Sequence, residues 1–212
     1  MMISNAQSLK DTMAKVPGVQ SVDDIKIKNK TIEYISFNNE SLGRLMFRRL
    51  KVADSTALFD FYFQGLSEES RNLFPPYPLF SPPPNSVEEL YSRIAGWEKD
   101  DDWTFLNLTK DERIIGVCLL KRYQPEHPVS GLAVRKEFQG TGLGFILQTI
   151  INGQARLLNL KRLYATVAPD NVASLRVHKK CGFEETGRLV PRYRYKDGIQ
   201  VADGYDVELV RA

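Results

Sequence analysis

The chain has 212 residues, with 29 Lys and Arg against 26 Asp and Glu, so its formal net charge is +3. A chain of this length forms one large domain, or a domain with an extension, and its weak charge does not favour nucleic acid or an anionic membrane as a partner. Its apolar runs are too short to span a membrane, and its first residues do not read as a signal peptide, so we expect a cytoplasmic protein. With two cysteines and two histidines in all, a metal site built from His and Cys is not expected.

Residues 1–43 predict an N-terminal extension made of one helix and two strands. Apolar residues before Pro17-Gly18 recur at helical spacing, and that dipeptide ends the helix. Two strand-like runs follow, at 24–28 and 31–37. Because no residue of this extension suggests chemistry, we expect it to pack on the main domain or to form a dimer contact.

Residues 44–212 predict a main domain that begins with a strand and a helix. After the strand at 45–51, Asp54 is placed to cap a helix that runs to about Gln64. The proline-rich stretch 74–86 predicts an extended loop, because proline cannot donate a hydrogen bond to a β-ladder. The aromatic residues of this loop, which either line a substrate cleft or anchor the loop in the core, are Phe74, Tyr77 and Phe80.

The rest of the main domain predicts strands that enclose two further helices. The strands are expected at 103–108, 113–121, 129–134, 162–167, 183–195 and 205–210, with turns at 196–198 and 203–204, and the helices at 144–158 and 172–180. A helix lies between core strands twice, and this order predicts a mixed α/β sheet.

A glycine-rich stretch joins the strand at 129–134 to the helix that follows it. It reads Gln139-Gly140-Thr141-Gly142-Leu143-Gly144, and its three glycines let the backbone turn sharply with its N–H groups uncovered. These amides lie at the positive end of a helix dipole, which is a site for a phosphate or pyrophosphate. The stretch lacks the Lys-Ser/Thr of a P-loop, and its glycine spacing differs from the dinucleotide-binding fingerprint.

Two motifs carry a resemblance to one family. Gln139, Gly142 and Gly144 form Gln-x-x-Gly-x-Gly, which resembles the acyl-CoA pyrophosphate loop of the GNAT family of N-acetyltransferases. The stretch from Asn171 to Phe183 is similar to the second signature of that family, N-x-x-(S/A) followed by Y-x-x-x-G-F. The resemblance covers 44–212. It implies an α/β fold with a GNAT-like mixed, splayed β-sheet flanked by helices, to which the N-terminal α-β-β extension is added.

The resemblance also implies where acyl-CoA binds. Its pantetheine arm would pair with the backbone of Leu132, Ala133 and Val134, in a gap where two strands of the sheet separate. Asn171, at the start of the last helix, is placed to cap that helix or to bind an amide-bearing ligand. The pyrophosphate would take the loop amides, which are those of Gln139, Gly140, Thr141, Gly142, Leu143, Gly144 and Phe145.

A general base is needed because an ammonium ion has no lone pair with which to attack a thioester. Many relatives carry a glutamate on the strand before the loop, but 129–134 contains no acid. Glu126 and His127 flank the start of this strand and are the nearest candidates. The alternative for His127 is an ordinary residue of a surface loop.

The leaving thiolate of CoA needs a proton or a hydrogen-bond donor. His178 occupies the position where relatives often have a tyrosine that protonates the CoA sulfur, and histidine titrates near neutral pH. The alternative is that His178 merely packs. Ser174, Tyr193 and Tyr195 are reserve donors.

The sequence thus predicts an N-acetyltransferase that moves an acetyl group from acetyl-CoA to a primary amine by direct attack, without a cysteine nucleophile and without a metal. The acceptor is a protein lysine, a protein N-terminus or a small amine. Late arginines, Arg188, Arg192 and Arg194, either face solvent or meet a carboxylate on the acceptor. A non-catalytic acyl-CoA-binding module is the alternative, and an interaction protein with a structural glycine loop is a third. A homodimer is compatible with each of these.

Overall fold

The computed structural model describes residues 5–74, 79–98, 103–122, 126–196 and 199–212. Its helices are α1 (Asn5–Met13), α2 (Ser55–Asp60), α3 (Glu68–Leu73), α4 (Val87–Trp97), α5 (Leu143–Leu157) and α6 (Val172–Lys180). Its strands are β1 (Val19–Lys28), β2 (Thr31–Asn39), β3 (Gly43–Arg49), β4 (Trp103–Lys110), β5 (Arg113–Lys121), β6 (Val129–Val134), β7 (Leu163–Val167), β8 (Glu184–Lys196) and β9 (Ile199–Arg211).

The described strands form one nine-stranded sheet in the order β1-β2-β3-β4-β5-β6-β7-β9-β8. All neighbours pair antiparallel except β6 and β7, which are parallel. Helix α5 makes the crossover between these two, as parallel strands require. The predicted mixed, splayed α/β sheet is therefore confirmed.

The two faces of the sheet carry separate apolar cores. One core joins α1 and α5 to the sheet, and its members include Met13, Phe37, Leu147, Ile150 and Leu209. The other joins α2 and α4 to the opposite face, and its members include Leu58, Phe61, Leu90, Ile94 and Leu119. The sheet therefore separates its two faces. A ligand can contact both faces only where two neighbouring strands are not hydrogen-bonded to each other.

The N-terminal extension packs into the first of these cores. Leu9 lies against Gly153 of α5, where an added Cβ would be 2.5 Å from its Cδ1, so any larger residue at this position would require the Leu9 side chain to move. The buried Gln154 accepts from the Ile32 amide at 2.9 Å and donates to the Lys30 carbonyl at 2.9 Å. Through these two hydrogen bonds, a side chain of α5 pairs with backbone groups at the turn between β1 and β2. A dimer contact through the extension stays a prediction.

Two local predictions differ from the structure. Asp54 precedes α2, but its side chain does not cap that helix; it turns back to the Lys51 amide at 2.9 Å and to Arg48 at 2.7 Å. The predicted turn at Asp203-Gly204 is wrong, because β9 continues through it as an irregular stretch beside β8. The Asp203 carbonyl accepts two hydrogen bonds from Arg192, which hold this stretch in the ladder. The predicted turn residues 197 and 198 lie outside the described part of the chain.

Candidate functional site

A gap opens between β6 and β7 directly after the strands meet. They share a single pair, Val129 with Tyr164, reinforced by the hydrogen bond from the Tyr164 amide to the Pro128 carbonyl at 2.8 Å. Ser130 Oγ donates to the Tyr164 carbonyl at 3.2 Å. From Gly131 to Val134 the strand β6 pairs with β5 only, and from Ala165 to Val167 the strand β7 pairs with β9 only. The edge of β6 that carries Leu132, Ala133 and Val134 therefore faces this β6–β7 gap, whose apex lies at Val129.

The glycine loop lies at the wide end of the β6–β7 gap. Gly140 and Gly142 have φ values of +78° and +86°, which residues with a side chain rarely adopt. Both are exposed, and an added Cβ at either would meet no atom within 4 Å. Glycine is thus required here by the backbone angle and not by crowding. Gly142 is the N-cap of α5, so the loop opens at the positive end of a 15-residue helix.

Five consecutive amides of this loop, from Gly140 to Gly144, donate no hydrogen bond within the described part of the chain. The flanking amides are used: that of Gln139 donates to the Lys136 carbonyl at 3.3 Å, and that of Phe145 to the Gly142 carbonyl at 3.0 Å. Side chains brace the loop, because Gln139 Nε2 donates to the Val134 carbonyl at 3.4 Å and Thr141 Oγ1 to the Phe138 carbonyl at 2.7 Å. Free amides at a helix start are groups that can bind an anion.

The start of α6 is capped by Asn171, whose Oδ1 accepts from the Ser174 amide at 3.1 Å. His178 lies one turn further and is 3% exposed. Its Nδ1 lies 2.8 Å from the Ser174 carbonyl oxygen and 3.3 Å from Ser174 Oγ, and its ring meets Phe183 edge-on. Its Nε2 is buried with no partner among the described residues.

At the apex of the gap, the ring of His127 stacks on Tyr164 with 3.7 Å between ring centroids. His127 Nε2 lies 3.2 Å from Glu208 Oε1, and Glu208 is 4% exposed. Thr186 Oγ1 donates to Glu208 Oε2 at 3.0 Å. Glu126 is exposed and has no hydrogen bond or ion pair within the described residues. Sequence reasoning missed Glu208, since a carboxylate that alternates with Val207 and Leu209 is typical of a solvent-facing strand side.

His127 and Glu208 lie on the face of the sheet opposite α5. Glu208 pairs across the ladder with Thr166, and neighbours on either side, Ala165 and Leu209, are buried in the α5 core. Since strand residues alternate in direction, Thr166 and Glu208 point to the other face. Phe74 covers β6 on that face, because an added Cβ on Gly131 would meet its ring at 3.1 Å.

An open cleft of about 350 Å³ lies between α3, the start of α6 and the β8–β9 hairpin. Its lining carries four carboxylates and one guanidinium and consists of Glu68, Glu69, Asn72, Leu73, Asp170, Arg192 and Asp203. Arg192 bonds to the Asp203 carbonyl and, at 3.2 Å, to Asp206, and Arg188 lies 3.5 Å from Glu208. The sequence left open whether these arginines face solvent or meet a carboxylate of the acceptor. In the structure Arg192 and the largely exposed Arg188 contact carboxylates of the chain itself, and the side chain of Arg194 lies outside the described part.

Residues 44–184 match the family model described as "Acetyltransferase (GNAT) domain", which is more than half of the chain. The chain belongs to the GNAT acetyltransferase family. The predicted family is therefore confirmed. A comparison with curated proteins finds no match.

Solved GNAT structures share the fold at low identity. The ribosomal-protein-S5-alanine acetyltransferase from Vibrio fischeri is 20% identical, with a TM-score of 0.65 over 83% of this chain and 95% of that chain. Mycobacterium smegmatis RimJ in complex with CoA-disulfide is 17% identical, with a TM-score of 0.64 over 89% of this chain and 85% of that chain. Spermidine N-acetyltransferase from Vibrio cholerae, in complex with CoA and spermine, is 20% identical, with a TM-score of 0.61 over 78% of this chain and 93% of that chain. At these identities the similarity is evidence for the fold.

The loop aromatics of this GNAT chain have different environments. Phe80 is buried and stacks on Tyr62 with 3.9 Å between centroids, so it anchors the loop. Phe74 is partly buried and lies against β6 at the gap, and Tyr77 lies outside the described residues. No described helix is long and apolar enough to cross a membrane. In the same residues, no group of three or more His, Cys, Asp or Glu is arranged to hold a metal ion.

The two thiols of the GNAT chain are poor nucleophiles. Burial raises the pKa of Cys118, which lies in β5, far above its ordinary value. Burial also raises the pKa of Cys181 to about 11, although hydrogen bonding to Thr149 and the charge of Arg211 oppose this. Because the thiolate is the reactive form, both cysteines stay unreactive near neutral pH.

His178 is held in one tautomer by its contacts. A carbonyl oxygen only accepts, so the Nδ1–H donates to Ser174 and the lone pair of the neutral ring is at Nε2. Burial lowers the pKa of His178, and the hydrogen bond to Ser174 only partly opposes this. Donation of a proton to a thiolate would need the imidazolium form, which burial disfavours.

The buried His178 is expected to make unfolding depend on pH. Its folded-state pKa lies below the unfolded value, so the unfolded chain takes up the proton first as the pH falls. The contribution of the neutral His178 to the free energy of unfolding should be fully present above about pH 6.5. Below that pH the free energy of unfolding should decline by at most about 1.4 kcal/mol per pH unit, until the lower pKa of the folded state is passed. Urea unfolding at pH 7.5, 6.5 and 5.5 measures this. His178→Asn should flatten the decline, and His127→Gln, which changes the other histidine of the chain, should leave it in place.

Proposed function

We propose that this chain is an acyl-CoA-dependent N-acetyltransferase that transfers an acetyl group from acetyl-CoA to a primary amine. The observation that carries the proposal is that the unpaired edge of β6 leads directly to the glycine loop. The unpaired edge of β6 begins at the apex of the β6–β7 gap and ends beside the free amides of Gly140 to Gly144. An extended ligand with an anionic end fits this arrangement, and acyl-CoA has that form.

The proposed cofactor site divides along β6. The pyrophosphate takes the amides from Gly140 to Gly144, where the dipole of α5 favours negative charge. The pantetheine arm runs along the edge of β6 from Val134 towards Val129, five residue steps that span about 16 Å at 3.3 Å per residue. The thioester then lies near the apex. Asn171 uses its Oδ1 as the α6 cap, which leaves its Nδ2 group for the ligand.

The acceptor approaches from the face opposite α5 in this proposal. The cleft between α3, the start of α6 and the β8–β9 hairpin is the proposed entry for the acceptor, because its four carboxylates against one arginine suit a positively charged amine. Fold relatives named for spermidine and for an alanine of a ribosomal protein supply the two classes of amine to test. A protein lysine is the third. A cytoplasmic location and a homodimer remain part of this proposal.

Transfer is proposed to be direct, since Cys118 is buried, Cys181 is partly buried, and burial raises the pKa of both thiols. The amine loses one proton and attacks the thioester carbon, a C–N bond forms, and the C–S bond breaks. The second amine proton leaves as CoA thiolate is protonated, so the products are an amide, CoA thiol and one proton. Backbone amides at the β6 edge are the nearest donors for the tetrahedral oxyanion.

Thiol release from acetyl-CoA tests the function. The wild-type chain is incubated with acetyl-CoA and, in turn, with spermidine, an alanine-initiated peptide and a lysine peptide blocked at its N-terminus. We expect thiol release, above the rate without amine, and a matching acetylated product by mass spectrometry for at least one of them. Tight binding of acetyl-CoA without thiol release over the panel would favour the non-catalytic acyl-CoA-binding module. No binding of acetyl-CoA would contradict both.

A further inference from the structure

We propose, on the basis of the proposed acetyl transfer, that His127 is the general base for the acceptor amine and that Glu208 positions its ring. Glu208 is a carboxylate on β9 that is almost fully buried, although a long apolar side chain would fill the same space without a desolvation cost. Its contacts are with His127, Thr186 and Arg188. A carboxylate kept in this position and bonded to an imidazole has a chemical use.

The contact with Glu208 fixes the tautomer of His127. An ionised carboxylate only accepts, so the Nε2–H of His127 donates to Glu208 Oε1 across 3.2 Å. The lone pair of the neutral ring is then at Nδ1, which has no hydrogen-bond partner among the described residues. Stacking on Tyr164 and the bond from Thr186 to the second carboxylate oxygen restrict both partners. A carboxylate that orients an imidazole and leaves the lone pair of its second nitrogen free is the arrangement of a general base.

The position of His127 suits the proposed reaction. It precedes Pro128, whose carbonyl accepts from Tyr164 where β6 and β7 meet, so the imidazole lies at the apex of the gap. The proposed thioester lies at the same apex. Tyr164 and Glu208 place the ring on the face opposite α5, from which the amine approaches. The side chain of His127 is 28% exposed, so solvent can remove the proton that it accepts.

The strands that meet near His127 carry several charged or titratable groups. These groups are Glu208 on β9, Arg188 on β8, the Tyr164 phenol on β7 and Lys121 on β5, and Glu126 precedes His127 in the sequence. Of these, Glu208 and Tyr164 touch the imidazole in the described structure. Arg188 is largely exposed and reaches Glu208 at 3.5 Å, and the Lys121 ammonium lies over Trp103 at 4.7 Å from the ring centroid.

The proposed step transfers one proton to His127 and involves no oxidation or reduction. His127 Nδ1 takes a proton from the bound ammonium, which leaves a neutral amine and an imidazolium whose Nε2–H remains bonded to Glu208. The amine nitrogen then forms the C–N bond as the C–S bond breaks. The imidazolium returns its proton to solvent, which accounts for the one proton released per turnover.

The pH dependence of kcat/KM tests the assignment, with acetyl-CoA and whichever of the three amines gives the fastest turnover. With a base in place, the bound ammonium reacts, and kcat/KM levels off well below the pKa of the amine. Without one, only free amine reacts, and log kcat/KM rises with unit slope up to that pKa. His127→Ala should lower kcat/KM at pH 7.5 by about 100-fold and show the unit slope. Free imidazole should restore part of the rate.

Glu208→Gln should lower kcat/KM at pH 7.5 by at least about tenfold, with most of the loss in kcat. Unchanged calorimetric binding of CoA would show that both variants are folded. Glu185→Gln is the matched control on the same hairpin, where an exposed carboxylate pairs with Lys179, and it should behave as wild type. A wild-type profile in His127→Ala, or a unit slope in Glu126→Gln instead, would overturn the assignment and leave the acetyltransferase intact. A wild-type chain that releases no thiol would overturn the proposed function, and this assignment with it.

Discussion

Gly142→Glu is expected to weaken the binding of CoA and acetyl-CoA by about 100-fold or more. Gly142 is exposed, and a side chain there meets no other atom, so the glutamate is accommodated without a clash. Its carboxylate would lie beside the free amides from Gly140 to Gly144, where it accepts their hydrogen bonds and repels the pyrophosphate. Two hydrogen bonds to a charged group, at about 1.5 kcal/mol or more each, account for the expected loss.

Matched substitutions separate charge from backbone strain at Gly142. The φ of +86° costs an ordinary residue about 1–2 kcal/mol, and asparagine tolerates it better than alanine does. Gly142→Asn should therefore bind CoA within about tenfold of wild type, and Gly142→Ala should lie between the two. Calorimetric titration of each variant measures this, with thermal unfolding as the check of folding. Equal weakening by asparagine and glutamate would show that the loop serves the turn and not the anion.

The loop and the order of elements could be predicted because their signals are local. Glycines at Gly140 and Gly142 occur where the chain must take positive φ, and apolar periodicity marks α5 and the strands around it. The gap itself has no local signal. It exists because β6 and β7 part after one pair, while the other edge of β7 is held along its whole length by β9, which follows later in the chain.

These polar contacts could not be predicted, because the fold, and not the spacing in the sequence, decides which partner each side chain meets. Asp54 has the type and position of an N-cap, but Arg48 and Asn107 draw its carboxylate into a buried cluster. Glu208 alternates with apolar residues like a solvent-facing side chain, and only the fold places His127 beside it. His178 shows the reverse case, since a residue that titrates near neutral pH becomes a packed, neutral ring once α6 is in place.

The ion pair between Arg135 and Asp60 should show an asymmetric response to mutation. Arg135 follows β6 and is 3% exposed, whereas Asp60, at the end of α2, is 48% exposed and lies 2.9 Å from its Nη1. The guanidinium lies against Gly65, where an added Cβ would be 2.8 Å from it. Asp60→Ala leaves a buried charge with only the longer contact to Glu137, and we expect a loss of about 3 kcal/mol in the free energy of unfolding.

Arg135→Met removes the buried charge and leaves an exposed carboxylate, which water solvates. This variant should therefore lower the free energy of unfolding by only about 1 kcal/mol. The double variant should recover most of the loss caused by Asp60→Ala, since no unpaired cation remains. Urea unfolding at one pH measures all three chains, and a constant m-value checks that the two-state treatment applies. Equal losses of unfolding free energy in Asp60→Ala and Arg135→Met would contradict this prediction. They would mean that the mutual attraction of the pair, and not the desolvation of Arg135, determines the effect of each substitution. Because Arg135 joins the end of β6 to α2, the asymmetry would identify Asp60 as the residue that makes this buried arginine tolerable between strand and helix.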